Sequence, residues 1–295
     1  LRLKGETVEE IAAAAGVMRE LATPVDVSGP QLVDTCGTGG DGRGTINVST
    51  AAAIVAAAAG LRIAKHGNRS ASGGPGSADV LEAVGVKIAL SPEGVQRCLA
   101  ETGFGFMFAQ VFHPAMRHAA VPRREIGIRT IFNILGPLTN PAGAQAQVLG
   151  VSDHRIGEKM AEALNCLGTQ RAMVVYGMDG VDELSISAPT RVWDLREGRV
   201  STSEVTPEEA GLSRASTDDI KGGTVERNAE LLRAILGGKP GPALDVVLLN
   251  TAAALLVGGK ATTLRQGVAL ARQFVASGAA AAKLEQVVKV SQGLS

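Results

Sequence analysis

A glycine-rich turn between a predicted strand and a predicted helix is the first place where this sequence could do chemistry. Residues 37–44 contain five glycines and come shortly after the short strand predicted at Gln31–Asp34. Glycines let backbone N–H groups approach an oxyanion, and the start of the next helix adds its positive partial charge. Asp41 would repel a phosphate, so it is expected to face ribose hydroxyls or a metal ion. The turn predicts a site for an anionic ligand of this kind.

Two common phosphate-binding motifs, the dinucleotide-binding motif and the P-loop, do not fit this turn. Gly37, Gly39 and Gly42 satisfy the G-x-G-x-x-G spacing of dinucleotide-binding proteins. That motif needs an acidic residue at the end of the second strand to bind ribose, and this strand ends in Lys65-His66. A P-loop requires Lys followed by Ser or Thr where this chain has Arg43-Gly44. A glycine-rich turn that binds no ligand is the simplest alternative.

Polar groups at the start of the next helix and in a second loop extend this site. Asn47, Ser49 and Thr50 begin the helix predicted over 49–59, where they either contact a ligand or cap the helix. Residues 65–77 follow the next strand and combine two fixed positive charges, three hydroxyls and four glycines. Adjacent parallel strands end at the same crevice, so the two loops together predict a ligand with more than one phosphate. Either loop alone could be an ordinary solvated loop.

An acidic pair follows a later strand. Asp182 and Glu183 come shortly after the strand predicted at 172–176. Carboxylates at the carboxyl end of a strand are hard oxygen donors suited to magnesium, which typically also binds phosphate oxygens and water. An acidic turn without a metal is the alternative, and a neighbouring diphosphate site favours the metal.

The elements that position these loops alternate between strands and helices, which predicts an α/β fold with a mostly parallel central sheet and flanking helices. Strands are predicted at 31–34, 62–65, 106–109, 147–151 and 172–176, with a polar β-like stretch at 191–205. Helices are predicted from the N-cap Thr7 to about 21, and at 49–59, 77–84, 92–102 and 155–167, with three more beyond Thr224. The helical stretch 113–137 has no clear strand, so we expect it to leave the sheet and join the first helix.

Composition narrows the function classes. Hydrophobic residues make up 45% and charged residues 20%, and Lys plus Arg equals Asp plus Glu at 29 each, so no global field favours nucleic acid or a membrane. One Trp and one Tyr do not supply a stacking platform for single-stranded nucleic acid. The three scattered cysteines indicate neither a zinc site nor a disulfide framework and fit a reducing cytoplasm. No apolar run is long enough to span a bilayer.

Seven sequence blocks in a fixed order carry a resemblance to a known family. The sequence is similar to the anthranilate phosphoribosyltransferases. The blocks that carry the similarity are Asp34–Gly42, Asn47–Thr50, Lys65–Arg69, Gly76–Gly85, Phe112–Arg117, Gly127–Ala142 and Val181–Ser185.

The resemblance implies that the protein transfers phosphoribose from phosphoribosyl diphosphate (PRPP) to anthranilate in tryptophan biosynthesis, with Mg²⁺. It implies a small discontinuous all-helical domain, residues 1–28 and 113–141, and an α/β PRPP-binding domain, residues 29–112 and 142–295. The residues it implies for PRPP are Gly37, Gly40, Asp41, Thr45, Asn47, Val48, Ser49, Thr50, Lys65, His66, Gly67, Asn68, Arg69 and Ser77. Those it implies for anthranilate are Gly37, His66, Asn68, His113, Arg123 and Pro137. Those it implies for the metal are Ser49, Asp182 and Glu183.

The resemblance also implies a cytoplasmic homodimer. The family carries further N-terminal helices that contribute to the dimer contact, and this sequence begins after them. It also has Gly74-Pro75 where the family has a small polar or basic pair, which predicts a change in loop closure over the diphosphate. No residue is assigned as a general base. Two alternatives share the expected fold: a pyrimidine nucleoside phosphorylase-like enzyme, disfavoured by Asp182 and Glu183, and a non-catalytic relative that binds nucleic acid, disfavoured by the neutral charge balance.

Overall fold

A seven-stranded sheet forms the centre of the computed structural model, which describes residues 1, 3–29, 31–70 and 74–294, without the side chain of Arg124. Residues 71–73 of the second predicted loop lie outside the described residues. The strands are β1 (Leu32–Gly37), β2 (Arg62–Gly67), β3 (Phe104–Phe108), β4 (Ala146–Gly150), β5 (Arg171–Gly177), β6 (Thr190–Arg196) and β7 (Arg199–Val205).

The sheet has the order β3-β2-β1-β4-β5-β6-β7 and is mostly parallel, as predicted. The strands from β3 to β5 pair in parallel, for example Val33 with Ala146. The polar stretch predicted as β-like forms the antiparallel hairpin of β6 and β7, which adds to the edge of the sheet. Its tight turn is made by Glu197 and Gly198, both with positive φ (52° and 74°), which is the backbone geometry of a two-residue hairpin turn.

Twelve α-helices lie within the described residues. They are α1 (Val8–Glu20), α2 (Val48–Ala58), α3 (Ser77–Ala83), α4 (Pro92–Thr102), α5 (Ala109–Phe112), α6 (Arg117–Ile126), α7 (Phe132–Leu135), α8 (Gly157–Cys166), α9 (Val225–Leu236), α10 (Pro242–Val257), α11 (Leu264–Ala276) and α12 (Ala279–Gln292). None of the helices in the described chain could cross a membrane, because none is both long and apolar enough.

The prediction of three helices beyond Thr224 is wrong, because the structure has four. The break between α11 and α12 is only two residues long and depends on Gly278 in the left-handed region (φ 79°). A break this short interrupts the helical period too little to stand out in the sequence.

Small aliphatic side chains allow the helices to pack closely on the sheet. In α2, nine of the eleven residues are buried, and most of them are alanine or valine. They pack with residues of α10 and of the central strands in the largest core cluster. A second cluster joins Ile11 and Ala15 of α1 with Leu164 of α8 and Trp193 of β6. The first helix begins as predicted, with Thr7 and Glu10 forming a reciprocal capping box. The division of the chain into two domains stays a prediction.

The strand order reverses between β1 and β4, and this positions the site. From β1 the chain proceeds outward through β2 to β3, and then crosses back to β4 on the other side of β1. In such sheets a crevice opens beyond the carboxyl ends of the strands at the reversal. The glycine-rich turn follows β1, and Gly37 at its start pairs with Gly150 at the end of β4.

Candidate active site

A cleft of 1580 Å³ opens at the carboxyl ends of the central strands. Its walls come from the glycine-rich turn after β1, the described part of the loop after β2, and the segment from α5 to α7. The acidic pair after β5 lies at its base. The predicted site residues in its lining are Gly37, Gly40, Asp41, Thr45, Asn47, Ser49, Thr50, Lys65, His66, Gly67, Asn68, Arg69, Ser77, His113, Arg123, Asp182 and Glu183. Val48 and Pro137 are buried and lie outside the lining.

The glycine-rich turn adopts a backbone that other residues rarely adopt. Gly39, Gly40, Gly42 and Gly44 all have φ between 64° and 72°. The Arg129 guanidinium donates a hydrogen bond to the carbonyl oxygen of Gly40, and a Cβ atom on Gly40 would lie 2.3 Å from that guanidinium. Arg129 therefore connects the helical wall of the cleft to the turn.

Glycines also allow the acidic pair to lie directly over the strand ends. A Cβ atom on Gly150 would come within 1.5 Å of the carbonyl oxygen of Asp182, and one on Gly37 within 2.4 Å of its Oδ2 atom. The backbone N–H of Gly39 donates to Oδ2 of Asp182 at 2.8 Å. The turn after β1 and the loop after β5 are thus in contact, which brings together the predicted phosphate and metal groups.

Three carboxyl groups crowd this point. Burial, the larger cause, and the nearby charge of Asp41 together raise the pKa of Asp182 to about 6. Burial and the charge of Asp182 raise the pKa of Glu183 well above its usual range. Oδ2 of Asp41 is buried and accepts no hydrogen bond from the described residues. A cation placed here would relieve the repulsion and ionise the carboxyls, so the residues present fit a divalent metal ion.

Lys65 lies close enough to the acidic pair to interact with the charge of Glu183, and it is 1% exposed. Its ammonium group donates to the carbonyl oxygen of Thr35 and lies 3.3 Å from the hydroxyl of Ser49. The N–H of Ser49 donates to Oε1 of Glu183 at 3.2 Å. Burial lowers the pKa of Lys65, while Asp34, Cys36 and Glu183 act in the opposite direction.

A fully buried carboxyl supports the end of β2. Oδ1 of Asp34 accepts the N–H of His66 at 3.2 Å, and Oδ2 accepts the amide of Asn140 at 2.8 Å. The same Asn140 amide nitrogen donates to the carbonyl oxygen of Ala64 at 2.8 Å. Burial raises the pKa of Asp34, and the positive charge of Lys65 opposes this shift. Asp34 thus holds the backbone of His66 in the cleft and attracts the charge of Lys65.

Two imidazoles and an arginine line the helical side of the cleft. The rings of His66 and His113 lie 4.9 Å apart, and the Nε2 atom of each is buried without a partner among the described residues. Burial lowers the pKa of His66 to about 3 and also lowers that of His113, so both are neutral at physiological pH. The half-buried Arg123 guanidinium lies 5.4 Å from the centre of the Phe132 ring. These groups could bind a small aromatic acid.

The charge of Arg69 is directed toward its own loop and α3. Its guanidinium forms ion pairs with Asp79 and Glu82, each at 2.8 Å, and lies 5.6 Å from the centre of the Phe108 ring. A Cβ atom on Gly67 would lie 2.3 Å from the hydroxyl oxygen of Ser77, so the strand end and the start of α3 are in close contact. Of the two fixed positive charges in this loop, Lys65 is therefore the one that faces the acidic pair.

Comparison with known proteins assigns the family. Residues 29–281 match the model of the glycosyl transferase family, a/b domain. An anthranilate phosphoribosyltransferase of Petrotoga mobilis is 52% identical over all of this chain and 86% of that relative's length. The chain belongs to the anthranilate phosphoribosyltransferase family.

Solved structures of this family show the same architecture. The anthranilate phosphoribosyltransferase of Thermus thermophilus aligns with a TM-score of 0.94 at 51% identity, covering 99% of this chain and 87% of that one. The Saccharomyces cerevisiae enzyme in complex with PRPP and Mg aligns with a TM-score of 0.91 at 31% identity, covering 98% of this chain and 81% of that one.

Sequence reasoning about this family member missed several groups that shape the site. Asp34 lies in the first of the seven blocks but was not predicted to have a role, and Asn140, Gly150 and Arg129 were not predicted as site residues. A glycine at the end of a predicted strand was the available signal for Gly150, because such a glycine often marks a close backbone approach. The N-capping alternative is wrong for Asn47. It occupies the N-cap position of α2, but its side chain makes no capping hydrogen bond to the helix. Instead its amide donates to the carbonyl oxygen of Pro75 at 2.9 Å.

Proposed function

We propose that the protein transfers the 5-phosphoribosyl group from PRPP to the amine of anthranilate, giving N-(5-phosphoribosyl)anthranilate and diphosphate, a reaction of tryptophan biosynthesis. The observation that carries this proposal is the meeting of Lys65, Ser49 and Glu183 at the base of a glycine-rich anion site. A buried cation beside a carboxylate pair complements a diphosphate with a divalent metal ion. The names of the relatives and the PRPP and Mg complex of the yeast enzyme support it.

The diphosphate is proposed to bind where the glycine-rich turn meets Lys65. Gly37, Gly39 and Gly40 present backbone groups there, and the amino end of α2 begins nearby at Val48. The departing diphosphate gains negative charge as its bond to the sugar breaks. The Lys65 ammonium is held in place by Thr35 and Ser49, so it can stabilise this charge without reorganisation.

Magnesium is proposed to be held by Ser49, Asp182 and Glu183. Among the described residues no three His, Cys, Asp or Glu side chains are grouped as a complete metal cage. This suits Mg²⁺, which typically takes one or two carboxylates and completes its shell with substrate phosphates and water. When bound, the ion supplies Lewis-acid neutralisation of the leaving diphosphate.

The acceptor is proposed to bind on the helical side, near Arg123, His66 and His113. Arg123 would pair with the anthranilate carboxylate, a match for planar bidentate hydrogen bonding. The neutral imidazoles position the ring rather than abstract a proton, since an aromatic amine is nucleophilic without a base. The new bond joins the amine nitrogen to the anomeric carbon, the bond from that carbon to the diphosphate oxygen breaks, and the amine proton passes to solvent. The transition state resembles an oxocarbenium ion.

The proposal is tested by following anthranilate fluorescence with PRPP and Mg²⁺ together, with each omitted, and with excess EDTA. We expect loss of anthranilate only when both are present, and release of one diphosphate for each anthranilate consumed. A folded protein that leaves anthranilate unchanged under all conditions would refute the proposal. Phosphorolysis of a pyrimidine nucleoside by inorganic phosphate, measured in parallel, would indicate the phosphorylase alternative.

We also propose a cytoplasmic homodimer that contacts its partner through the helical region. Val17 and Leu21 at α1, and Val121 and Ile126 on α6, are large apolar side chains between 49% and 56% exposed. Exposed large apolar side chains of this kind are typical of a protein–protein interface. Light scattering coupled to size-exclusion chromatography tests the oligomer, and a monomer at micromolar concentration would refute it. Cell fractionation tests the location.

A further inference from the structure

Asn228 is a buried polar residue on α9 that faces the candidate site from outside it. It is 2% exposed and lies 181 residues from Asn47, its hydrogen-bond partner in the cleft lining. A buried amide that lacks partners is strongly unfavourable, so the partners of Asn228 are part of its role. Both polar atoms of its side chain are used.

These hydrogen bonds connect three segments of the site. Oδ1 of Asn228 accepts the N–H of Gly223 at 2.8 Å, and its amide nitrogen donates to Oδ1 of Asn47 at 2.8 Å. Since Oδ1 of Asn47 is the acceptor, its amide nitrogen faces the other way and donates to the carbonyl oxygen of Pro75 at 2.9 Å. Asn228 therefore determines which way the Asn47 amide is turned, and one of its two N–H groups is left for a ligand.

The loop beside Asn228 packs directly on its amide. A Cβ atom on Gly222 would lie 2.6 Å from Oδ1 of Asn228 and 3.0 Å from the carbonyl oxygen of Thr45. The N–H of Gly222 donates to the carbonyl oxygen of Gly44 at 2.9 Å, at the end of the glycine-rich turn. Displacing Asn228 would thus free the N–H of Gly223 and the Asn47 amide, next to the point where this loop is hydrogen-bonded to the end of the glycine-rich turn.

We propose that Asn228 is a positioning residue that acts through Asn47 to hold the PRPP site in its binding geometry. This inference rests on the proposed function, because PRPP is the ligand whose site it organises. Asn228 is not among the residues that line the cleft, so it would act through its neighbours. Its effect should fall on PRPP binding rather than on anthranilate binding, since none of its partners lies beside Arg123 or His113.

A double-mutant cycle on PRPP affinity tests this role. Calorimetry would measure PRPP binding in the presence of Mg²⁺ for the wild type, Asn228→Ala, Asn47→Ala and the double variant. We expect Asn228→Ala to weaken PRPP binding roughly tenfold, the effect of one or two neutral hydrogen bonds. In the Asn47→Ala background the same change should weaken binding by less than about twofold, because the Asn47 amide through which Asn228 acts is already absent.

The matched control is Asn165→Ala, which removes a hydrogen bond of 3.1 Å to the carbonyl oxygen of Gly198, far from the cleft. It should leave PRPP affinity unchanged. Asn228→Ser keeps a small polar group at the buried position, but its side chain is too short to reach Asn47. If the alanine variant does not fold, Asn228→Ser replaces it in the cycle and should weaken PRPP binding in the same way. The anthranilate KM should change by less than about threefold in both Asn228 variants.

The outcomes separate the two proposals. The role of Asn228 is supported if its substitution weakens PRPP binding in the wild-type background but has no further effect in the Asn47→Ala background. Unchanged affinity in Asn228→Ala or Asn228→Ser, or effects that multiply in the double variant, would overturn it. A wild type that binds PRPP but does not consume anthranilate would refute the proposed function while still testing Asn228. A wild type that does not bind PRPP would overturn both.

Discussion

The ammonium nitrogen of Lys65 lies 3.3 Å from the hydroxyl oxygen of Ser49. Ser49 in turn donates its backbone N–H to Glu183 at 3.2 Å. One continuous set of contacts thus runs from the buried cation, through a proposed metal ligand, to the acidic pair. The charge proposed to bind diphosphate and the carboxylates proposed to bind metal are therefore parts of one structure rather than separate sites.

Replacing Lys65 by Met is expected to lower kcat by roughly 100-fold or more, because a preorganised positive charge at the leaving group is lost. Methionine has a similar length and is apolar, so it fills the same buried space. The anthranilate KM should change far less. Steady-state kinetics on Lys65→Met give both values.

The control for that variant is Lys283→Met. The Lys283 ammonium also donates to a backbone carbonyl oxygen, that of Thr102, at 2.7 Å, but it lies outside the cleft. Lys283→Met should keep kcat within about twofold of the wild type. A Lys65→Met enzyme that retained a third of wild-type kcat would contradict the role given to Lys65.

Removing one carboxylate is expected to stabilise the metal-free protein. The pKa of Asp182 is raised to about 6 in the folded protein, so between about pH 4 and pH 6 the folded protein binds a proton that the unfolded chain does not. The free energy of unfolding therefore falls as the pH rises through this range. Asp182→Asn removes this loss and should raise the free energy of unfolding at pH 7.5 by roughly 3 kcal/mol, the amount that corresponds to a pKa raised from 3.8 to about 6. The same variant should lose the increase in Tm that Mg²⁺ and PRPP together produce in the wild type.

Thermal unfolding with EDTA, and then with Mg²⁺ and PRPP, measures both effects. Asp245→Asn is the control, because Asp245 lies outside the cleft lining and its ion pair is with Arg272 on the surface. We expect it to show the wild-type response to Mg²⁺ and PRPP. An equal response in Asp182→Asn would argue against Asp182 as a metal ligand.

Arg123 is expected to act on the acceptor alone. Arg123→Ala should raise the anthranilate KM at least tenfold more than the PRPP KM, because the carboxylate loses a charge-assisted pair. Arg123→Lys keeps the positive charge but lacks the planar guanidinium, so its anthranilate KM should lie between those of the wild type and Arg123→Ala. Arg97→Ala, at a surface ion pair with Glu101, is the control. Equal changes in both KM values would remove this assignment.

Acid should destabilise the fold through His66. Its pKa is lowered to about 3 by burial, against 6.5 in an exposed histidine, so between these values the unfolded chain binds a proton that the folded protein does not. Stability is therefore full above about pH 6.5 and falls as pH drops, by roughly 2 kcal/mol from this group at pH 5. The variant His66→Asn does not titrate and can keep the hydrogen bond of 3.1 Å to the carbonyl oxygen of Gly136.

Urea unfolding at pH 7.5 and at pH 5 checks this. The difference in unfolding free energy between the two pH values should be smaller in His66→Asn by roughly 2 kcal/mol. His118→Asn, at an exposed position on α6, should behave as the wild type does. The assignment fails if His66→Asn retains the whole pH dependence.

Much of the fold followed from local pattern. The start of α1 could be predicted from Thr7 and Glu10, because a capping box is made by residues only three positions apart. The first βαβ unit and the turn at 37–44 were also evident, since strands, glycines and a buried helix follow one another within a short stretch. The break at Gly278 was missed, because two residues interrupt a helical period too briefly to be seen.

The sequence by itself determined which chemical groups the protein has and the strand ends they follow, because residue type and spacing are local properties. Only the tertiary structure decided that Gly150 lets Asp182 lie over β4, that Asn140 supports Asp34, and that Asn228 turns the amide of Asn47. Each of these contacts joins residues that are at least 32 positions apart, and a hydrogen bond or a close approach depends on distance in space. The packing of the helices on the sheet sets that distance.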